Sequence, residues 1–206
     1  MIEFACASCL RKYSVPDAAA GRKAKCPCGQ TLTVPAAVVM SAPAGASKLS
    51  MRTRRLMADA RDMEALKDSP AVRIVSTVGD PAEIYRIEYQ VRSLEPGPRG
   101  QPVPRDRHAV EVQLTADYPR LAPKCKMLTP IFHPNIDPAT ICVGDHWTAG
   151  ERLVDLVLRI GEMIAYQAYN IKSPLDAEAA MWADLNIDKL PTDSRNLHPP
   201  ELDRAE

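Results

Sequence analysis

No apolar run in this chain approaches the roughly 18 residues that a membrane-crossing helix needs. The opening MIEFACASC also lacks the basic start and long apolar core of a secretory leader. Net charge is absent: 26 lysines and arginines balance 26 acids. That balance hides local bias. Residues 37–55 carry Lys48, Arg52, Arg54 and Arg55 with no acid, and from Asp176 onward acids outnumber bases. A basic patch of this size suits nucleic acid and an acidic protein face equally, so it selects neither. No internal repeat is present, which sets solenoid architectures aside. Cysteine is scarce outside the first 28 residues. Cys6, Cys9, Cys26 and Cys28 cluster there, whereas Cys125 and Cys142 stand alone. This distribution argues against a disulfide framework and for a metal site plus free thiols, which places the protein in the cytoplasm.

At 206 residues the chain can bury a substantial core. Its organisation reads as a cysteine-knuckle module over 1–36, a flexible Ala/Ser/Pro/Gly-rich linker over 37–50, an α+β domain over 51–190 and a polar tail over 191–206. In the α+β domain, Leu56, Ala60, Met63 and Leu66 recur at helical spacing and predict an amphipathic helix over about 52–67. Strands follow. VRIVST begins at Val72, and in EIYRIEYQV the residues Tyr85, Ile87, Tyr89 and Val91 alternate with polar neighbours. The run EPGPRGQPVP breaks the chain. Val110, Val112 and Leu114 then mark a third strand, and KCKML a fourth. Thr148 and Glu151 predict a capping box for the apolar helix LVDLVLRIGEMIA. A final helix spans about 176–186.

Cys6-x-x-Cys9 and Cys26-x-Cys28 form two knuckles able to bring four thiolates to one tetrahedral ion, for which zinc is the suited metal. So small a module cannot bury enough apolar surface alone, so the metal would supply its folding free energy. Free thiols or an iron–sulfur site are the alternatives. The flanking Phe4, Val15-Pro16, Ala20-Gly21, Cys28-Gly29 and Val34-Pro35 resemble small bacterial zinc ribbons, with a second knuckle one residue tighter than usual. Four cysteines leave no position open for substrate, so the expected role is structural or partner-binding.

The segment YPRLAPKCKMLTPIFHPNIDPATICVGDHW, Tyr118 to Trp147, sets one cysteine a few residues after a rigid His133-Pro134-Asn135 turn. Tyr-Pro, a Pro-Lys strand start, His-Pro-Asn, Ile-Cys and a tryptophan resemble the active-site region of ubiquitin-conjugating (E2) enzymes. The resemblance extends more weakly from about Arg52 to Asn186. It implies a UBC-like fold: an N-terminal helix, a four-stranded antiparallel meander, an active-site loop and C-terminal helices.

The resemblance also implies a chemistry. Cys142 would be the thiol that accepts a ubiquitin-like modifier from an E1-type activating enzyme and passes it to a lysine or another amine. An accessible thiol is the first requirement, because the thiolate is the attacking species. Asn135 would be the oxyanion donor, and His133 a brace for the loop that bonds to backbone. Ser173, before Pro174-Leu175, would orient or help deprotonate the attacking amine; as a residue before proline it also reads as a helix cap. Tyr166 and Tyr169 are candidates for the same groove, with core packing as the alternative. Cys125 falls at a strand position that is usually aliphatic and reads as core. The basic first helix (Arg52, Arg54, Arg55, Arg61) resembles the surface that such enzymes offer to E1, and a solvated helix face is the bland alternative.

Departures from the family pattern shape the expected partners. The Asn135–Cys142 and Cys142–Trp147 gaps are shorter than usual, Arg120 replaces an aromatic, and Thr148-Ala149-Gly150 lacks a proline. These features argue against a eukaryotic-type RING or HECT ligase. With the bacterial-type ribbon, they point to a prokaryotic conjugation pathway. Two other classes remain to be separated from an enzyme: a non-catalytic E2-like binding module, and a nucleic-acid-binding ribbon protein. Only Phe4 and Tyr13 could serve the latter as stacking aromatics, which disfavours it.

Overall fold

A computed structural model of the chain describes residues 2–35, 49–143 and 147–200. Residue 36 of the expected knuckle module, residues 37–48 of the expected linker, residues 144–146 of the Tyr118–Trp147 segment and the last six residues of the expected tail lie outside this set. The chain divides into two compact units, Met1–Lys48 and Leu49–Glu206.

The first unit is two hairpins. Strands β1 (Ile2–Ala5) and β2 (Lys12–Val15) pair antiparallel, as do β3 (Lys23–Lys25) and β4 (Thr31–Thr33). Each knuckle forms the turn of one hairpin. Gly29, in the left-handed region at φ +90°, lets its N–H turn back to the Cys26 carbonyl at 2.8 Å. The apolar centre is slight: Cys6, Cys26 and Leu32, with Phe4 and Tyr13 packed against them.

In the second unit, Ser50 caps α1 (Met51–Asp62) by accepting from the Thr53 amide at 2.9 Å. The expected helix over 52–67 continues only as a 3-10 turn, Met63–Asp68. A four-stranded antiparallel sheet follows: β5 (Val72–Val78), β6 (Ile84–Tyr89), β9 (His108–Gln113) and β10 (Lys124–Met127), in the meander order that the family resemblance implies. Between β6 and β9, the Pro/Gly-rich break proves to be the tip of a short ribbon, β7 (Ser93–Glu95) with β8 (Val103–Arg105).

Tyr85, Ile87 and Tyr89 of β6 and Val110 and Val112 of β9 face inward and are buried. On them lies α2 (Leu153–Ile164), apolar on nearly every side. The Tyr89 hydroxyl donates to the Val157 carbonyl at 2.9 Å, so a buried tyrosine is satisfied by the helix it packs on. α3 (Ala177–Leu185) closes the fold, where a last helix is expected, and the Asp176 side chain caps it by accepting the Ala179 amide at 2.9 Å.

One expectation is corrected. Thr148 and Glu151 do not form a capping box: the Glu151 amide bonds the Thr148 carbonyl in a simple turn, and α2 begins after Arg152 with no side-chain cap of its own. Its first amide, from Leu153, meets the Asp59 carboxylate of α1 at 3.4 Å instead. Part of the tail packs on this unit. Leu197 is buried, close enough to Gly161 that a Cβ there would sit 2.9 Å from it, and Ser69 donates to the Leu197 carbonyl at 3.0 Å.

Candidate active site

Beyond β10 the chain makes a two-rung hairpin, β11 (Ile136–Asp137) with β12 (Thr140–Ile141). Its turn is set by Asp137, whose carboxylate accepts the Ala139 and Thr140 amides at 2.7 and 3.2 Å. One step past the last rung, the Cys142 amide donates to the Asn135 carbonyl at 3.1 Å. A gap in sequence thus closes to direct neighbours in space, because a short antiparallel pair folds the segment on itself.

His133 is fully buried, and the Asn135 amide donates to its Nδ1 at 3.1 Å. Burial pushes its pKa down to about 3, only weakly opposed by the backbone at Met163. The imidazole is therefore neutral and accepts at Nδ1, which suits a brace and not a base. Its ring packs tilted against that of Tyr166, with centroids 4.6 Å apart. Tyr166 is buried and donates to the Phe132 carbonyl at 2.5 Å, so it packs the loop from behind and does not line the groove.

The Asn135 side chain is spent on the facing loop. Its Oδ1 accepts the Asn170 amide at 2.6 Å, and its Nδ2 donates to the carbonyls of Asn170 at 2.7 Å and Ser173 at 3.4 Å. The Pro134 carbonyl accepts the amides of Leu175 and Asp176 at 2.7 and 3.1 Å. These bonds zip residues 133–135 to 170–176, a register that spacing alone does not reveal; Asn170 is the site residue that the sequence reading missed.

Between the loops lies a cavity of about 270 Å³ lined by Cys142, Asn135, Ser173, Tyr169, Asn170 and Arg159, among others. Cys142 is half-buried, neither sealed in the core nor fully exposed. Ser173 is exposed at the rim. Cys125, by contrast, is buried in the main core, and burial lifts its thiol to about 12. It is inert packing, as its strand position suggests.

A second cluster supports the site from α1. Asp59, 1% exposed, receives the Arg55 Nε at 2.9 and 3.0 Å and the Tyr118 hydroxyl at 2.6 Å. Arg55 also donates to the carbonyls of Ala149, at 2.5 Å, and Glu151, and its guanidinium lies over the Tyr118 ring at 5.1 Å. Trp147 donates from Nε1 to the Pro119 carbonyl at 2.9 Å and packs on Tyr118. The basic face expected of α1 is therefore smaller than the sequence suggests. Arg55 is turned inward, Arg52 is held by Glu83 and the Leu114 and Thr115 carbonyls, and Arg54 and Arg61 stay exposed.

In the first unit the four cysteine sulfurs all lie within 4.8 Å of one another, with Cys6–Cys28 at 3.7 Å and Cys9–Cys26 at 3.5 Å. A tetrahedral ion with metal–sulfur bonds of about 2.3 Å requires sulfur–sulfur edges of about 3.8 Å. The donor set fits. The Tyr13 hydroxyl, 2.9 Å from the Cys26 sulfur, draws that thiol down to about 6, with a backbone bond to Cys28 adding to the effect. The same bond holds Tyr13 protonated, its pKa raised to about 12.

The sheet, the hairpin-borne thiol and the zipped loops together define a UBC-like α+β domain with an open cleft at one cysteine. The family model of ubiquitin-conjugating enzymes matches residues 55–190, and the chain belongs to that family. The ubiquitin conjugating enzyme E2 B of Dictyostelium discoideum is 28% identical over 131 residues, which cover 62% of this chain and 82% of that protein. Among solved structures, one described as a novel ubiquitin-conjugating enzyme superposes with a TM-score of 0.50 at 18% identity, covering 66% of this chain and 86% of that one; it supports the fold alone. An E2 domain from Toxoplasma gondii gives a TM-score of 0.49 at 26% identity over 66% and 89%. Membership in this family implies transferase activity.

Proposed function

We propose that Cys142 carries the carboxyl terminus of a ubiquitin-like protein as a thioester, received from an E1-type enzyme, and transfers it to a lysine or another amine. The observation that supports this is a half-buried thiol sharing one cleft with Asn135 and Ser173. Such a thiol can be reached by an extended C-terminal tail.

In this reading His133 and Asn135 act through position. A neutral His133 fixes the Asn135 backbone, and Asn135 fixes the 170–173 loop, which sets Ser173 at the rim where an amine would approach. The Ser173 hydroxyl would orient that amine as it loses its proton. The four N-terminal cysteines hold a structural zinc ion, which would supply the folding free energy that so small a core lacks. Arg120, 80% exposed and paired with Asp117, takes the place of a ligase-contacting aromatic. Together with the short loops and the ribbon, it favours a prokaryotic, cytoplasmic pathway without a eukaryotic-type RING or HECT ligase.

Incubation with a cognate E1, ATP and modifier should give an adduct that reductant destroys. Cys142→Ser should make it reductant-stable or abolish it. Binding of the modifier with no adduct at Cys142 would instead mark a non-catalytic module.

A further inference from the structure

The outer face of α3 carries larger apolar side chains than the face it buries. Ala179, Ala180 and Ala183 are buried, whereas Met181 and Leu185 stand in water at 62% and 73% exposure. Surface helices ordinarily do the reverse, with the large apolar residues inside and polar ones out. Glu178, Met181 and Leu185 share that outer face through their spacing of three and four. Ile187, 65% exposed, extends the strip into the 3-10 turn that follows, and exposed Leu175 begins it two residues after Ser173. A single exposed apolar residue needs no explanation, but a strip of four along one element marks a contact surface.

The charges around the strip select its partner. From Ser173 to Asp188 the chain has four acids and no base. Asp176 is used as the helix cap, while Glu178, Asp184 and Asp188 are exposed and, among the described residues, in no ion pair. Lys172 and Lys189 stand at the two ends, and Lys189 is turned to the Asn186 side chain at 3.0 Å. Arg99 belongs to the β7–β8 tip that meets Glu178, where a Cβ on Gly100 would lie 3.9 Å from that carboxylate. A second copy of the strip would set these acids against one another, and nucleic acid would set phosphates against them. An apolar face that bears lysines or arginines is complementary.

We infer that the outer strip of α3 docks the protein to be modified, and that it takes a basic segment with an apolar face. The inference rests on the thioester reading and names the substrate class for it. Leu185 lies only about 14 Å along the helix from its cap at Asp176, and Ser173 is three residues before that cap. A helical segment of a dozen residues, about 18 Å long, seated on the strip therefore brings its lysines to the rim of the cleft. There a neutral lysine nitrogen attacks the acyl carbonyl and an amide bond forms. The carbon–sulfur bond breaks, Cys142 leaves with its electron pair, and the proton that the nitrogen gives up passes to the departing thiolate.

The test needs no E1. The zinc-loaded full-length protein is titrated, by fluorescence anisotropy, with a labelled helical peptide of lysines and leucines and with its twin in which glutamate replaces lysine. The lysine peptide should bind, more weakly as salt rises, and the glutamate twin should not. Met181→Ser with Leu185→Ser should weaken binding by about tenfold or more, and so should Asp184→Lys with Asp188→Lys. All four side chains are exposed, so the circular dichroism of both variants should match wild type. Equal affinity of wild type and variants, or of the two peptides, overturns the inference. So does a concentration-dependent dimer that the serine variant abolishes, because a second copy is then the occupant. With Cys142 loaded from a small glycyl thioester, the peptide's lysines should take the acyl group faster than free lysine does, and the serine variant should lose that advantage. An advantage that survives in the serine variant overturns the assignment of substrate class. A protein that binds the peptide at α3 but never loads Cys142 contradicts the thioester reading instead, and that failure shows on the wild type without any peptide.

Discussion

Asn135 and Asn170 lock to each other through two hydrogen bonds, backbone amide to side-chain oxygen at 2.6 Å and side-chain amide to backbone carbonyl at 2.7 Å. A single carboxamide therefore ties the hairpin that bears the thiol to the loop that faces it.

Asn135→Asp keeps the shape but turns the Nδ2 donor into an acceptor aimed at two carbonyls. It should destabilise the domain by about 1–3 kcal/mol. Hydrogen exchange should speed up at the amides of Asn170, Leu175 and Asp176 before it does so in the sheet. Unchanged protection there would contradict the zipped-loop account.

Asp59→Ala removes the acceptor shared by Arg55, Tyr118 and Leu153, and leaves a guanidinium mostly buried without its carboxylate. Loss of one partner of a buried pair costs on the order of 3–5 kcal/mol, whereas Arg54→Ala on the exposed face should fall within about 0.5 kcal/mol of wild type. Urea denaturation of the two variants gives the comparison. Similar midpoints would refute the structural assignment of this cluster.

How far the sequence carries to the structure depends on the range of the interaction. The strand faces are plain in Tyr85-x-Ile87-x-Tyr89 and Val110-x-Val112, because alternation is a local property of the chain. The metal knuckles and the His-Pro-Asn turn are equally local. Asp59 carries no such local signal, and nothing nearby in sequence announces Tyr118 or Leu153 as its partners. The capping box failed for the same reason. Thr148 and Glu151 have the spacing, but the carboxylate that meets the first amide of α2 comes from α1, more than 90 residues earlier. Arg55 and Arg54 look alike in sequence, and only the packing of Trp147 and Tyr118 distinguishes the inward one.

Stability should fall in mild acid. His133 is buried with its pKa near 3, and burial lowers that of His108 as well. The unfolded chain takes up protons on these rings below about pH 6.5 and the folded one does not, so stability is full above that value and declines as pH drops toward 3. The slope should be about 1.4 kcal/mol per pH unit for His133 alone. Urea midpoints that stay level between pH 7 and 5 would contradict a neutral, buried imidazole.

Metal removal should unfold one unit and spare the other. Chelation is expected to release one ion per chain and to abolish exchange protection in residues 2–35, with residues 49–200 unaffected. Tyr13→Phe, which deletes the hydroxyl at the Cys26 sulfur, should weaken metal affinity by about tenfold or more in competition with a chromophoric chelator. Equal affinity would show that this hydroxyl plays no part in holding the ligand.

The central claim is that position 142 bears the acyl group, and intact-mass analysis of the charged protein tests it most directly. After reaction with E1, ATP and modifier, wild type should gain the modifier's mass less one water and lose it on treatment with thiol. Cys142→Ser should keep that mass through the same treatment or never acquire it. A Cys142→Ala protein that gains and loses the modifier as wild type does would place the chemistry on a different residue and contradict this account.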